Sequence, residues 1–215
     1  MSSDPGGRVH GRELRARGKR TLARLLDAGG TVFADRGYHA ARVDDIVKAA
    51  KTSHGTFYLY FSSKQDLFRA VAVEVAAEMV DLARELPALD PDDVTSEVAL
   101  RDWLDRFATL YRRHGAFIRT WTEAEIADSE IGTIGNELVT QFSLELARRV
   151  STAAPDLDPA VTAFALVSMI ERTNYLVEGA RLRLDSTQAI ATLAAVTMAV
   201  LHGTRSTGAG ARAGV

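Results

Sequence analysis

Aromatic residues crowd into one short stretch of the chain, where positions 57–61 read Phe-Tyr-Leu-Tyr-Phe. The whole sequence has only 8 Phe and 5 Tyr, so core packing alone would not require this concentration. The stretch follows Ser-His-Gly-Thr (53–56) and precedes Ser-Ser-Lys (62–64). Hydroxyl and ammonium groups bind phosphate oxygens, and phenol rings contact sugars or thymine methyl groups. This pattern predicts a surface that binds nucleic acid.

The charge distribution agrees with such a partner. Residues 1–69 contain 13 Arg and Lys against 7 Asp and Glu, whereas residues 70–215 contain 13 against 21. The net charge of −2 therefore combines a basic first third with an acidic remainder. Because neutralised phosphates supply most sequence-independent DNA affinity, the basic end is expected to meet the polyanion. Chance clustering of charge is the alternative that composition leaves open.

Composition also excludes several kinds of site. The chain has no Cys and only five dispersed His residues, so we expect no disulfide, no metal site and no cofactor. The sequence shows neither a signal-peptide core nor a window of about 18 apolar residues. It therefore predicts a cytoplasmic protein without a membrane partner.

Helical periodicity accounts for nearly every segment between breakers, so the predicted fold class is all-α. The predicted helices are Glu13–Arg36, Val43–Ala50, His54–Phe61, 63–85, Thr95–His114, Phe117–Asp128, Ile131–Ala153, Pro159–Glu178 and Ser186–Leu201. Gly29 and Gly30 lie inside the first helix, where each costs roughly 1 kcal/mol relative to Ala, and we expect them to allow close helix contact.

Capping signals position the aromatic stretch. Ser53 is a good N-cap for the third helix, which places Phe57 and Phe61 together on its inner stripe. Tyr58 and Tyr60 are then free to flank or leave the core. The pattern Ser-Lys-Gln-Asp (63–66) is similar to a capping box and predicts the start of the fourth helix.

Three short helices with a tight link at residues 51–53 match the helix-turn-helix plan, whose last helix enters the major groove. The run 33–68 resembles the DNA-binding region of the tetracycline-repressor (TetR) family in four ordered motifs. These are F-A-x-R-G-Y (33–38), V-x-D-I (43–46), S-x-G-T-F-Y-x-Y-F (53–61) and S-K-x-x-L-F (63–68). The rest of the chain resembles the family only in being helical and variable.

The resemblance implies a homodimeric transcription factor, usually a repressor, that releases a palindromic DNA operator when a small molecule enters its C-terminal domain. Carried over to this chain, the DNA-binding residues are the N-cap Ser53, the base contacts His54, Gly55, Tyr58 and Leu59, and the phosphate contacts Thr56, Tyr60 and Lys64. Arg42 stands where the family usually has a helix-capping Thr, and we expect it to reach a phosphate instead.

The predicted organisation has four parts. These are a flexible basic arm (1–17), a helix-turn-helix region with its connecting helix (18–84), an effector-binding and dimerisation domain (95–203) and a disordered tail (204–215). Residues 8–20 include six Arg and Lys. They form either an arm for phosphates or the minor groove, or a solvated leader.

The two least polar long helices, Pro159–Glu178 and Ser186–Leu201, are assigned to the homodimer, because the family's last two helices pair as a four-helix bundle. The predicted effector is a small hydrophobic or aromatic molecule. Its candidate contacts, for each of which core packing is the alternative, are Trp103, Phe107, Tyr111, Trp121, Glu123, Phe142, Met169, Glu171, Asn174 and Tyr175.

An enzyme is the contrasting class. It would need a nucleophile with a base, paired carboxylates or a metal cluster, and Glu123 and Glu125 project to different faces of a helix. The sequence therefore predicts a regulator and no enzyme. A ligand-independent regulator, constitutive or architectural, and a transcriptional activator remain alternatives, because the DNA-binding residues do not separate them from a ligand-released repressor.

Overall fold

The chain folds into eight α-helices within the residues that the structure describes, and those residues contain no β-strand. This computed structural model describes the backbone of residues 5–127, 129–178 and 184–211 and the side chains of 16–121, 129–177 and 184–202. The helices are α1 (Pro5–Arg36), α2 (Val43–Ala49), α3 (His54–Tyr58), α4 (Lys64–Arg84), α5 (Val94–Ala127), α6 (Ser129–Ala153), α7 (Pro159–Glu178) and α8 (Ser186–Ala211). The all-α prediction is confirmed. No helix of the described part has both the length and the hydropathy needed to cross a bilayer.

Helix α5 departs from the prediction. It runs without a break from Val94 to Ala127, so the predicted separation between His114 and Phe117 is wrong. Gly115 costs a helix interior only about 1 kcal/mol, and the buried side chains of Phe117 and Trp121 stabilise the turns that follow it.

The two ends of the chain are also more helical than expected. Helix α1 begins at Pro5, inside the segment predicted as a flexible arm, and α8 continues to Ala211, inside the segment predicted as a disordered tail. Both segments extend an existing helix. Each added residue gains a backbone hydrogen bond without a new nucleation cost, so both segments are helical despite their glycine content.

The chain divides into two compact units, which differ from the predicted ranges. The first comprises residues 1–74 and 117–131, and the second comprises residues 75–116 and 132–215. Contacts of the second half of α5 explain the difference. The ring of Phe117 packs 4.7 Å from that of Phe68, and Thr120 Oγ1 donates to the carbonyl of Phe33 at 3.1 Å.

Close contact between α1 and α4 builds the core of the first unit. A Cβ added at Gly29 would lie 2.7 Å from Cδ2 of the fully buried Leu67. The predicted role of this glycine in close packing is therefore confirmed. At Gly30 the nearest atom would be a methyl carbon of Val71 at 3.6 Å, an ordinary contact.

The second unit has a separate aromatic core. The rings of Trp103, Phe107, Tyr111 and Phe142 pack in succession with centroids 5.7–6.2 Å apart, and all four side chains are buried. Trp103 Nε1 also donates to the carbonyl of Leu82 at 2.8 Å. This hydrogen bond ties α5 to the end of α4.

Candidate DNA-binding site

The turn between α2 and α3 is a Schellman motif that ends α2. Thr52 N donates to the carbonyl of Val47 at 2.9 Å, and Lys51 N donates to that of Lys48 at 3.2 Å. The motif requires a left-handed residue, and Lys51 fills that position with φ 49°. Because a non-glycine residue pays roughly 1 kcal/mol or more there, the turn is strained.

Ser53 begins α3 as the sequence predicts. Its Oγ accepts from the backbone N of Thr56 at 3.1 Å and lies 3.0 Å from Thr56 Oγ1. Arg42, at the corresponding position of α2, makes no side-chain capping bond and is exposed. Its guanidinium is thus presented to solvent at the start of the helix-turn-helix.

Helix α3 ends at Tyr58, so the predicted end at Phe61 is wrong, and residues 59–60 form a turn that follows the helix. The inner and outer side chains of residues 57–61 nevertheless separate as predicted. Phe57 is fully buried and Phe61 lies 5.8 Å from it, ring to ring, inside the core. On the other side, Tyr58 keeps 57% and Leu59 keeps 82% of their surface exposed. The buried phenylalanines therefore fix the helix while its outer side chains remain available to a partner.

His54 and Gly55 are exposed at the start of α3. His54 Nε2 lies 2.6 Å from Oδ1 of Asp44, a carboxylate of α2. This pair fixes the orientation of the imidazole.

Lys64 has an internal role that the sequence did not reveal. Its ammonium donates to the carbonyls of Tyr38, His39 and Ala41 at 2.9, 3.0 and 2.9 Å, which uses all three N–H groups. It also lies over the ring of Tyr38, and partial burial lowers the pKa of Lys64. A phosphate contact by Lys64 stays a prediction, and it requires the ammonium to give up a carbonyl.

The hydroxyl of Tyr60 also has a hydrogen-bond partner within the fold. The hydroxyl donates to the carbonyl of Gly18 in α1 at 3.2 Å, and the side chain is half-buried. The predicted phosphate contact of Tyr60 is untested. It needs this hydrogen bond to be exchanged.

The predicted effector contacts have several different surroundings. Trp103, Phe107, Tyr111 and Phe142 pack on one another, as described above. Trp121 belongs to the first unit, where its Nε1 donates to the carbonyl of Ile131, and the side chain of Glu123 lies outside the described residues.

The remaining candidates lie on α7 and have separate partners. Glu171 accepts from the Tyr111 hydroxyl at 3.1 Å, and Arg172 lies over the Tyr175 ring at 4.8 Å. Asn174 is buried and donates to the carbonyl of Ile170. Met169 lines a groove between α7 and α8 of about 400 Å³, whose other residues are Thr173, Leu184, Asp185, Gln188, Ala189, Thr192, Leu193 and Val196.

Within the part of the chain that the structure describes, no three His, Cys, Asp or Glu side chains are placed to hold a metal ion. Lys51, which occupies the left-handed position of the turn after α2, was not singled out from the sequence. Its position directly after α2, where glycine is favoured, was the available signal.

The chain matches known regulators. The family model for bacterial regulatory proteins of the tetR family matches residues 25–71. The chain is 30% identical over 166 residues to the HTH-type transcriptional regulator YdgC of Bacillus subtilis, which covers 74% of this chain and 81% of that protein.

Solved structures with a similar fold include two regulators. A tetR-family transcriptional regulator from Streptomyces coelicolor has a TM-score of 0.69 at 18% identity, covering 85% of this chain and 80% of that chain. FadR from Bacillus subtilis, solved in complex with stearoyl-CoA, has a TM-score of 0.63 at 20% identity, covering 83% and 96%. At these identities the likeness concerns the fold alone.

Proposed function

This chain belongs to the tetR family of bacterial regulatory proteins, and we propose from this that it is a cytoplasmic, homodimeric repressor released from a palindromic operator by a small apolar effector. Members of the family are transcriptional regulators rather than enzymes. The proposal therefore concerns which DNA is bound, how two subunits pair and what ends the binding.

The observation that carries the proposal is the two-sided α3. Buried Phe57 and Phe61 hold the helix, whereas Tyr58 and Leu59 project from the fold beside the exposed His54. A short helix with a fixed inner side and exposed polar and aromatic side chains suits the major groove, where hydrogen bonds and apolar contacts read base edges. We assign base contacts to these exposed residues.

The last two helices support the homodimer. Val161 and Phe164 on α7 and Val200 on α8 are exposed apolar side chains, and Phe164 keeps 61% of its surface. Burying such residues against a second copy removes them from water. Twofold pairing also supplies two α3 helices, which a palindromic operator requires.

The groove between α7 and α8 is our candidate effector site. Its volume of about 400 Å³ lies within the range typical of ligand pockets, and Met169, Leu193 and Val196 give it an apolar lining. Thr173 and Gln188 add hydrogen-bonding groups. FadR, whose fold is similar, was solved in complex with stearoyl-CoA, which makes acyl compounds the first class to test.

Sequencing the genomic DNA fragments that the purified full chain retains tests this function directly. We expect an inverted repeat shared by the retained fragments, and acyl-CoA or another apolar compound should release them. Retention without any shared sequence would contradict sequence-specific recognition. Specific binding that no apolar compound weakens would instead favour a ligand-independent regulator, and reporter activation from the same site would favour an activator.

A further inference from the structure

The chain ends two helices with a left-handed residue but uses different residue types to do so. Gly37 follows α1 with φ 78°, and its N donates to the carbonyl of Phe33 at 2.9 Å. Lys51 follows α2 with φ 49° in the Schellman motif. Glycine adopts this conformation freely, whereas a lysine is strained in it.

The rest of the described fold offers Lys51 no compensation. Its side chain is exposed, and no hydrogen bond or ion pair of its ammonium occurs within the described part of the chain. Two other basic groups of the first unit differ in this respect, since Arg36 pairs with Asp45 at 3.2 Å and Lys64 binds three carbonyls. We therefore look outside the subunit for a group that the ammonium of Lys51 contacts.

The location of Lys51 indicates the partner. It precedes the N-cap Ser53 by two residues and His54 by three, so its flexible side chain begins at the entrance to the helix assigned to base contacts. DNA bound by α3 brings phosphates next to that entrance. Ammonium groups bind phosphates as point charges without demanding geometry, which suits a long exposed side chain.

We propose that Lys51 contacts a DNA phosphate, and that this contact offsets the backbone strain of a non-glycine residue in the left-handed region. The proposal rests on the DNA-binding function proposed above. It adds to that function a residue that acts on affinity for all sequences and not on the choice of sequence.

Three variants of the full chain separate charge from backbone strain. Lys51→Gly removes both, Lys51→Ala removes the charge and keeps the strain, and Lys51→Arg keeps both. Operator affinity is measured over a range of salt concentrations, and thermal unfolding is measured without DNA. Arg148→Ala, a change at an exposed arginine of α6 in the second unit, is the control for loss of one positive charge.

We expect Lys51→Gly and Lys51→Ala to lower the slope of log affinity against log salt by roughly one unit per subunit, whereas Lys51→Arg and Arg148→Ala leave it unchanged. Lys51→Gly should also raise the unfolding midpoint by about 2 to 4 °C. A variant that folds better but binds DNA less tightly is the signature of the proposal.

An unchanged slope in both Lys51→Gly and Lys51→Ala would overturn it. So would a loss of affinity in Lys51→Gly alone, because that result assigns the effect to a loosened turn. Failure of the unsubstituted chain to bind any DNA would be a different outcome, since it would contradict the proposed function itself.

Discussion

Two tyrosines separated by a single residue, Tyr58 and Tyr60, have different surroundings. Tyr58 packs edge-on against Phe57 at 5.2 Å and keeps more than half of its surface exposed. The hydroxyl of Tyr60 is bound to the carbonyl of Gly18. We therefore expect Tyr58 to recognise DNA and Tyr60 to hold α1 against the segment that follows α3.

Replacing Tyr58 with Ala should weaken specific operator binding by about 1 to 3 kcal/mol and leave nonspecific binding nearly unchanged. The physical reason is the loss of a side chain that touches base edges while the phosphate contacts persist. Competition assays with operator and random duplexes measure both affinities. Tyr58→Phe is the matched control for the hydroxyl, and an equal loss on both duplexes would assign Tyr58 to the phosphates instead.

The role of Lys64 also depends on contacts between single atoms. Lys64→Ala should lower the free energy of unfolding by about 1 to 3 kcal/mol, because the partly buried carbonyls of Tyr38 and Ala41 lose a charged donor. Urea denaturation checks the value, and Lys48→Ala, at an exposed lysine of α2, should leave it unchanged. If Lys64→Ala keeps its stability but lowers the salt slope by roughly one unit per subunit, Lys64 binds phosphate as the sequence predicts.

At the scale of elements, adjacent glycines of α1 have opposite roles. Gly29 allows α4 to approach, since a Cβ there would meet Leu67, whereas Gly30 has room for one beside Val71. Helix propensity favours Ala over Gly by about 1 kcal/mol at both positions. Packing alone therefore determines the sign of each substitution.

Gly29→Ala should destabilise the chain, because overpacking a well-filled core costs about 1 to 3 kcal/mol. Gly30→Ala is its matched control and should stabilise the chain by up to about 1 kcal/mol. Equilibrium unfolding of the two variants measures the difference. Equal effects at both positions would show that Leu67 adjusts freely, and the double variant Gly29→Ala with Leu67→Ala tests their coupling.

At the scale of the whole molecule, the proposed function depends on two subunits. In that proposal one α3 reads one half of an operator, so affinity for the full site requires the pairing that we assign to α7 and α8. The exposed apolar side chains of these helices are the features to disrupt. The two compact units are each held by their own aromatic cores, and a surface change on α7 leaves both cores intact.

If the proposed homodimer pairs through α7, Phe164→Glu should convert it to a monomer, because each pairing would bury two carboxylates without partners. Analytical ultracentrifugation measures the mass in solution, and operator binding should fall with it. Val98→Glu, at an exposed valine of α5, is the control and should remain dimeric. A dimeric Phe164→Glu protein would move the interface away from α7.

The sequence by itself determined the helical class, the inner and outer sides of α3 and the capping residue Ser53, because these follow from side-chain periodicity and local hydrogen bonding within a few positions. It also indicated the close approach at Gly29. The tertiary structure alone decided that Lys64 binds three carbonyls more than twenty residues away, that Asp44 orients His54, that four of the aromatic effector candidates pack on one another and that α5 continues past Gly115. These outcomes depend on which distant groups a side chain meets, and local pattern carries no information about such contacts.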